Sequence, residues 1–241
     1  NELAVTALIV ESDFVFAETF EQVSTLHFVG VCRAALNHVD VDSATEHGVL
    51  VVNAPGRNSR AVAEHIFGIM LALARQIPAA HSYVKDGRWT SPDEPYRTLR
   101  GIELGGRTLG LVGFGAIGRE VAYIASALGM GVLAHDPYVS GAPVGVTLTD
   151  LDTLLANSDF IATLAPLNSE TTGMLDAQRL ARMKPGSFLV MASGVSITDQ
   201  IALLAALRSG ALRGAAVDVF DTHPVAPDNP LLTAENLLLT P

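Results

Sequence analysis

The sequence predicts an α/β fold built on two parallel sheets, and three observations carry that prediction. Apolar runs of four to six residues alternate with helix-periodic stretches along most of the chain, the pattern of successive βαβ units. The 241 residues are 49% hydrophobic and only 17% charged, which supplies one large core or two smaller ones. A glycine-rich turn, Gly113-Phe114-Gly115-Ala116-Ile117-Gly118, stands between the apolar run Thr108–Val112 and a helix-like run at 119–128.

Two series of elements follow in order. The first has strands near Ala7–Val10, 28–32 and 49–53, with helices near 15–24 and 41–47 between them. A long amphipathic stretch at 61–75 comes next. A polar segment at 86–100, holding Gly87, Pro92 and Pro95, then reads as a crossing between domains. The second series starts at Gly106 and places strands near Thr108–Val112, 131–134, 160–164, Ser187–Met191, 214–217 and Leu237–Leu239. Six strands of this kind make a doubly wound sheet. Helices fall at 150–156 and at 198–208, the latter capped by Thr198 or Asp199 and stopped by Gly210. The expected domains are residues 1–96 and 97–241, with no internal repeat and no low-complexity segment.

Charge and cysteine content exclude several classes. The formal net charge is -10, and Lys and Arg lie scattered along the chain, so neither nucleic acid nor an anionic membrane surface is an expected partner. The one cysteine, Cys32, excludes an internal disulfide framework and a multi-cysteine metal site, and is read as a buried small hydrophobe. A reducing, cytoplasmic compartment is the matching expectation. The longest apolar run, at 66–74 between His65 and Arg75, is far short of the roughly 18 residues of a membrane span and is read as a core helix. The chain opens on Asn1 without a methionine and stops at Pro241 directly after a strand-like run, so both ends read as cuts that are silent on targeting. Ser-His-Asp spacing, a Walker loop and a His/Cys metal cluster are all missing from the sequence, which leaves hydrolase and metalloenzyme readings without support.

Each part of the glycine turn has a mechanical role. Gly113 permits the tight turn, Gly115 lets backbone approach a pyrophosphate, and Gly118 lets the helix pack on the strand. The pyrophosphate then meets the N–H groups of Ala116 and Ile117 at a helix N-terminus. Asp136, at the tip of the next strand, suits the adenosine ribose hydroxyls and repels the extra phosphate of NADP, so NAD is the expected cofactor.

The stretches 49–56, Ala63-Glu64-His65, Asp86-Gly87-Arg88-Trp89, 104–136, Ser158-Asp159 with Pro166-Leu167, Met183-Lys184-Pro185-Gly186, 214–220 and Leu239-Thr240-Pro241 resemble the NAD-dependent D-2-hydroxyacid dehydrogenases, especially phosphoglycerate-dehydrogenase-like members. The resemblance implies a flavodoxin-like substrate domain, incomplete at its N-terminus, over 1–96 with its crossing helix and linker, and a Rossmann NAD-binding domain over 97–241. It implies further cofactor contacts at Pro137, Leu164, Ala165, Pro166, Ala192, Ser193 and Asp218, the last near the nicotinamide carboxamide. The loop Ala34-Ala35-Leu36-Asn37 would offer backbone N–H groups to a substrate carboxylate. The partner so implied is a small 2-hydroxy or 2-oxo acid, and the segments 61–75 and 86–100 resemble those through which family members form two-fold dimers.

The family's chemistry uses an Arg to clamp the carboxylate, a His to exchange the hydroxyl proton and a Glu to orient that His. The His is expected just beyond Pro241. The family pattern Asn-x-Ala-Arg-Gly-Gly falls on Met191-Ala192-Ser193-Gly194-Val195-Ser196, so Gly194 stands at the Arg position; His223 stands at the Glu position, and Leu164 replaces a common His. Two readings follow: a dehydrogenase impaired by the missing Arg, or a catalytically weak NAD-binding regulatory protein on the same fold. Among other residues, His38 reads as a solvated loop histidine or a substrate-loop group, and His65 as a helix-face histidine. Trp89 and Tyr96 read as interface or packing residues. Glu11 and Asp13, after the first strand, disfavour a phosphorylated substrate.

Overall fold

A computed structural model describes residues 4–241, and packing divides the chain into two compact units, with the division between Ser59 and Arg60. The first unit contains β1 (Ala7–Val10), α1 (Ala17–Gln22), β2 (Phe28–Val31), α2 (Val41–Glu46) and β3 (Leu50–Asn53). The strands pair in parallel in the order β1-β2-β3. Val10, Val29 and Val31 point into a core shared with Phe20, Leu26 and Ala44. The row Ile9, Gly30 and Val52 lies on the other face, and Ile9 and Val52 are exposed there. Asp40 caps α2 by accepting from the Ser43 N–H at 2.9 Å.

The second unit takes in most of α3 (Ser59–Ala74), then α4 (Ile77–Lys85), α5 (Asp93–Thr98), β4 (Thr108–Val112), α6 (Ala116–Ala127), β5 (Gly131–His135) and β6 (Val146–Leu148). It continues through α7 (Leu151–Asn157), β7 (Phe160–Thr163), α8 (Ala177–Arg182), β8 (Ser187–Met191), α9 (Gln200–Ser209), β9 (Leu212–Val217) and β10 (Leu237–Leu239). All neighbours in its sheet are parallel, in the order β10-β9-β8-β7-β4-β5-β6. The chain leaves β4 in one direction and returns through β7 in the other, so the strand order reverses between them. In an open α/β sheet that reversal opens a crevice at the carboxyl ends of the strands.

Helices cover both faces. On one, α3 and α6 bury Ile66, Met70, Val121 and Ala125 against Leu109, Leu111 and Phe160. On the other, α7, α8 and α9 bury Leu154, Leu180 and Leu203 against Ile161, Leu189 and Ala215. Asp199 caps α9 through the Ile201 and Ala202 N–H groups, and Gly210 ends it in the left-handed region. Burial works against the charge of Asp159, at the foot of β7. The Lys184 ammonium at 2.7 Å, the Thr108 N–H and the nearby Arg107 outweigh burial and hold that carboxyl below its usual range.

Packing places most of α3 with the second unit, because α3 buries Ala63, Ile66, Ile69 and Met70 in the same cluster as Leu109 and Phe114. Three expectations change. The sheet has seven strands, the added one being the three-residue edge strand β6. The polar crossing contains a helix, α5, and another, α4, precedes it. Cys32 is half-buried; Trp89 and Tyr96 are exposed. Among the described residues, no helix is long and apolar enough to cross a membrane.

Ile66→Ala is expected to destabilise the second unit by about 2–5 kcal/mol, read from urea unfolding followed by Trp89-independent far-UV signal. A loss under 0.5 kcal/mol, roughly what an exposed position costs, would detach α3 from that core.

Candidate functional site

The glycine turn sits at the strand-order reversal, and its backbone is packed against the neighbouring crossover. Gly113 has φ 103°, a conformation L side chains rarely adopt. A Cβ there would lie 2.6 Å from the Ala165 nitrogen and 2.9 Å from the Leu164 carbonyl carbon. The Val112 carbonyl accepts both the Leu164 N–H, at 2.7 Å, and the Ala165 N–H, at 2.9 Å, which draws the end of β7 onto the end of β4. A Cβ on Gly118 would meet the Gly113 carbonyl oxygen at 2.8 Å, so the third glycine sets how closely α6 approaches the strand. Gly115 differs: nothing lies within 4 Å of its missing Cβ. It is the N-cap of α6 and caps no N–H with a side chain. The N–H groups of Ala116, Ile117 and Gly118 in the first helical turn therefore have the arrangement that binds a phosphate. A dinucleotide pyrophosphate fits this cradle.

Asp136 closes the cradle from β5. Its Oδ2 accepts the Phe114 N–H at 2.8 Å and its Oδ1 accepts the Tyr138 N–H at 3.0 Å, with exposed Pro137 between. Each carboxylate oxygen keeps further lone-pair capacity for a ribose hydroxyl. Across the reversal, Leu164 is half-buried against the core, Ala165 is half-buried and Pro166 is exposed. Ala192 and Ser193 follow β8, where the Ser193 hydroxyl donates to the Thr163 carbonyl at 3.1 Å.

Asp218, just past β9, is the focus of a cluster that sequence reading missed. His65 reaches it from α3, with Nε2 at 2.8 Å from Asp218 Oδ1, and the Thr240 hydroxyl donates to the same oxygen at 2.7 Å. The Asp218 side chain is 19% exposed. His65 is thus a helix-face histidine, as expected, that also bonds Asp218. Its signal was membership, with Asp218 and Thr240, in the stretches that carry the family resemblance.

Gly194 is buried, with φ −47° and ψ 131°, a conformation that does not demand glycine. A Cβ there would meet Leu167 Cδ2 at 2.7 Å and Asp221 Oδ1 at 3.3 Å. The Ser196 hydroxyl donates to the Asp221 carboxylate, so a fixed acid stands beside the position where the resemblance expects a guanidinium. His223 is exposed in the loop that follows.

In the first unit, the loop after β2 exposes Ala34, Ala35 and Asn37, while Leu36 packs on the core. The Asn53 amide holds the loop by donating to the Ala34 carbonyl at 2.7 Å. His38 is buried, contrary to a solvated loop histidine, and neither ring nitrogen has a partner among the described residues. Arg57 pairs with Glu11 at 2.8 Å and offsets one of the two acids expected to repel phosphate. No group of metal-ligating side chains forms among the described residues.

A parallel sheet with this cradle at its strand-order reversal defines a dinucleotide-binding domain of the Rossmann class. A family model described as D-isomer specific 2-hydroxyacid dehydrogenase, NAD binding domain, matches residues 67–241. The D-3-phosphoglycerate dehydrogenase of Archaeoglobus fulgidus is 41% identical over 98% of this chain and 44% of its own length. The glyoxylate reductase of Korarchaeum cryptofilum is 38% identical over 95% of this chain and 70% of its own length. A solved Thermus thermophilus protein superimposes with a TM-score of 0.87 at 35% identity, covering 97% of this chain and 74% of that one. An acyclic imino acid reductase in complex with NADPH and D-Arg gives 0.85 at 30% identity, covering 98% of this chain and 75% of that one. The chain belongs to the D-isomer specific 2-hydroxyacid dehydrogenase family, and its cofactor is NAD. It spans less than half the length of the curated phosphoglycerate dehydrogenases it matches.

The three glycines separate experimentally. Gly115→Val is expected to raise the NADH dissociation constant about tenfold or more in calorimetric titration while leaving the melting temperature nearly unchanged, since it fills only the open approach to the pyrophosphate. Gly113→Ala is expected to lower both affinity and melting temperature. Unchanged NADH affinity in Gly115→Val would remove the turn from the cofactor site.

Proposed function

We propose that this chain is part of an NAD-dependent oxidoreductase interconverting 2-hydroxy and 2-oxo acids, with residues 97–241 as its NAD domain and residues 1–96 as the substrate domain with its crossing helix and linker. The observation that carries this reading is the backbone cradle of Gly113, Gly115 and Gly118 with Asp136 hydrogen-bonded across it, on a chain that belongs to this family. Bound NAD(H) supplies or accepts the hydride. The first-turn N–H groups of α6 hold the pyrophosphate and Asp136 takes the ribose hydroxyls. The acid at Asp136 also favours NAD over NADP, because an uncompensated carboxylate repels a 2′-phosphate. Asp218, braced by His65 and Thr240, accepts from the nicotinamide carboxamide; Leu164, Ala165, Pro166, Ala192 and Ser193 line the opposite side. Backbone N–H groups of the Ala34-Ala35-Leu36-Asn37 loop take the substrate carboxylate. Pairing of Arg57 with Glu11 supports keeping phosphorylated and unphosphorylated acids alike within the class.

The proposed turnover is slow. Gly194 offers no guanidinium to fix a carboxylate bidentately, and Asp221 beside it is repulsive to an anion. His223 gives no anionic support to a neighbouring imidazolium. These two positions also favour the second reading, an NAD-binding regulatory protein on this fold. A homodimer is proposed through the α4–α5 segment, where Ile77, Val84, Trp89 and Tyr96 are exposed apolar side chains within a short stretch.

NADH oxidation by the full-length protein, assayed over a panel of small 2-oxo acids including glyoxylate, tests the proposal. Turnover is expected to fall about a hundredfold or more below a rate of roughly ten per second, and to be slower still with NADPH. Gly194→Arg with His223→Glu is expected to raise kcat/KM for at least one acid about tenfold or more, with Leu167 swinging aside to admit the new side chain. Rapid turnover by the unmodified protein would contradict the roles given to Gly194 and His223. No turnover by either protein, with NADH bound normally, would favour the regulatory reading.

A further inference from the structure

At the base of the seven-stranded sheet, the end of α3, the loop leading into β4 and the start of β9 line an open cavity of about 730 Å³ whose arginines are exposed to solvent. Five arginines line it, Arg75, Arg97, Arg100, Arg107 and Arg213, with a single acid, Glu103. They are a third of the 15 Lys and Arg residues of a chain whose net charge is -10. We propose that this cavity binds a small, multiply charged, phosphate-bearing anion at a site separate from the NAD cradle.

The floor of the cavity is built rather than loose. The Arg100 carbonyl accepts from Gln76 Nε2 at 3.0 Å and from Arg213 Nη2 at 3.1 Å, and the Ile102 N–H donates to the Ala74 carbonyl at 2.8 Å. Gly101 admits this approach, since a Cβ there would lie 2.6 Å from the Ala74 oxygen and 3.1 Å from Arg75 Nε. Arg107 is engaged by Asp159 at 3.4 Å. Arg75, Arg97, Arg100 and Arg213 pair with no carboxylate among the described residues.

Guanidinium groups gathered without counter-charges repel one another, and an anion between them relieves that repulsion. The lining has arginines and no lysine, and the planar fork of arginine matches phosphate oxygens two at a time. Several unpaired cations against one carboxylate suit a ligand of two or more negative charges. Gly113 lies at the opposite end of β4 from the Arg107-Thr108 end, a strand of five residues at about 3.3 Å each, so the two sites do not overlap.

The test titrates inorganic pyrophosphate into the full-length protein already saturated with NADH, which keeps the probe out of the glycine cradle, at constant ionic strength set with KCl. Saturable binding is expected, together with a rise in melting temperature that KCl alone does not produce. In Arg97→Gln/Arg100→Gln the pyrophosphate dissociation constant is expected to rise about tenfold or more, with NADH affinity unchanged. Arg75→Gln provides a second variant should the double variant unfold, and the same direction is expected. Three results would overturn the proposal: no binding beyond the KCl control, variants that bind pyrophosphate as the unmodified protein does, or a change of mass in light scattering that leaves pyrophosphate binding intact and marks a subunit contact.

Discussion

The close approach of Gly113 to the Leu164-Ala165 backbone is the constraint on which the rest of the site depends. Two N–H groups converge on the Val112 carbonyl, and no Cβ fits between the chains there. That contact fixes the end of β4 against the end of β7 at the point where the strand order reverses. It thereby sets the direction in which α6 leaves the turn, with Gly118 seated on the Gly113 carbonyl oxygen. Asp136 then ties β5 to the same turn through the Phe114 N–H. The cradle is therefore made mainly of backbone, and its side chains matter more for their absence than for their chemistry.

Much of this was readable from the chain because it rests on local pattern. Thr108–Val112 and Ser187–Met191 match their strands to the residue, and Asp199 and Gly210 bound α9 as capping chemistry requires. Most of the misses are made by tertiary contacts between distant residues. His65 and Asp218 are 153 positions apart, so helical periodicity offers no sign of their hydrogen bond. Likewise, α3 turns its apolar face to Leu109 and Phe114, a choice of partner that amphipathicity leaves open. The edge strand β6, three residues long, was too short for a period to register. The arginines illustrate the point most sharply. Scattered in sequence from Arg75 to Arg213, they meet in one cavity.

The proposed function joins a glycine-rich cofactor cradle to a position, Gly194, where the family resemblance expects an arginine. Gly194 adopts a conformation open to any residue, although a Cβ there would press on Leu167. Leu167 and the Ser196-bound Asp221 stand around it. Under the proposed function an acid stands where a carboxylate clamp is expected, while Gly113 and Gly118 are closely packed and Asp136 and Asp218 are hydrogen-bonded on the proposed dinucleotide side. Under that proposal binding and turnover are separable, and binding is the one the geometry supports most directly.

Amide hydrogen exchange with and without NADH tests that claim at the level of individual segments. The account predicts slowed exchange concentrated in the turn from Gly113 to Gly118 and around Asp136 and Asp218, with the arginine-lined loop at 100–103 unchanged. Protection confined to other segments, or none at the glycine turn under saturating NADH, would contradict it.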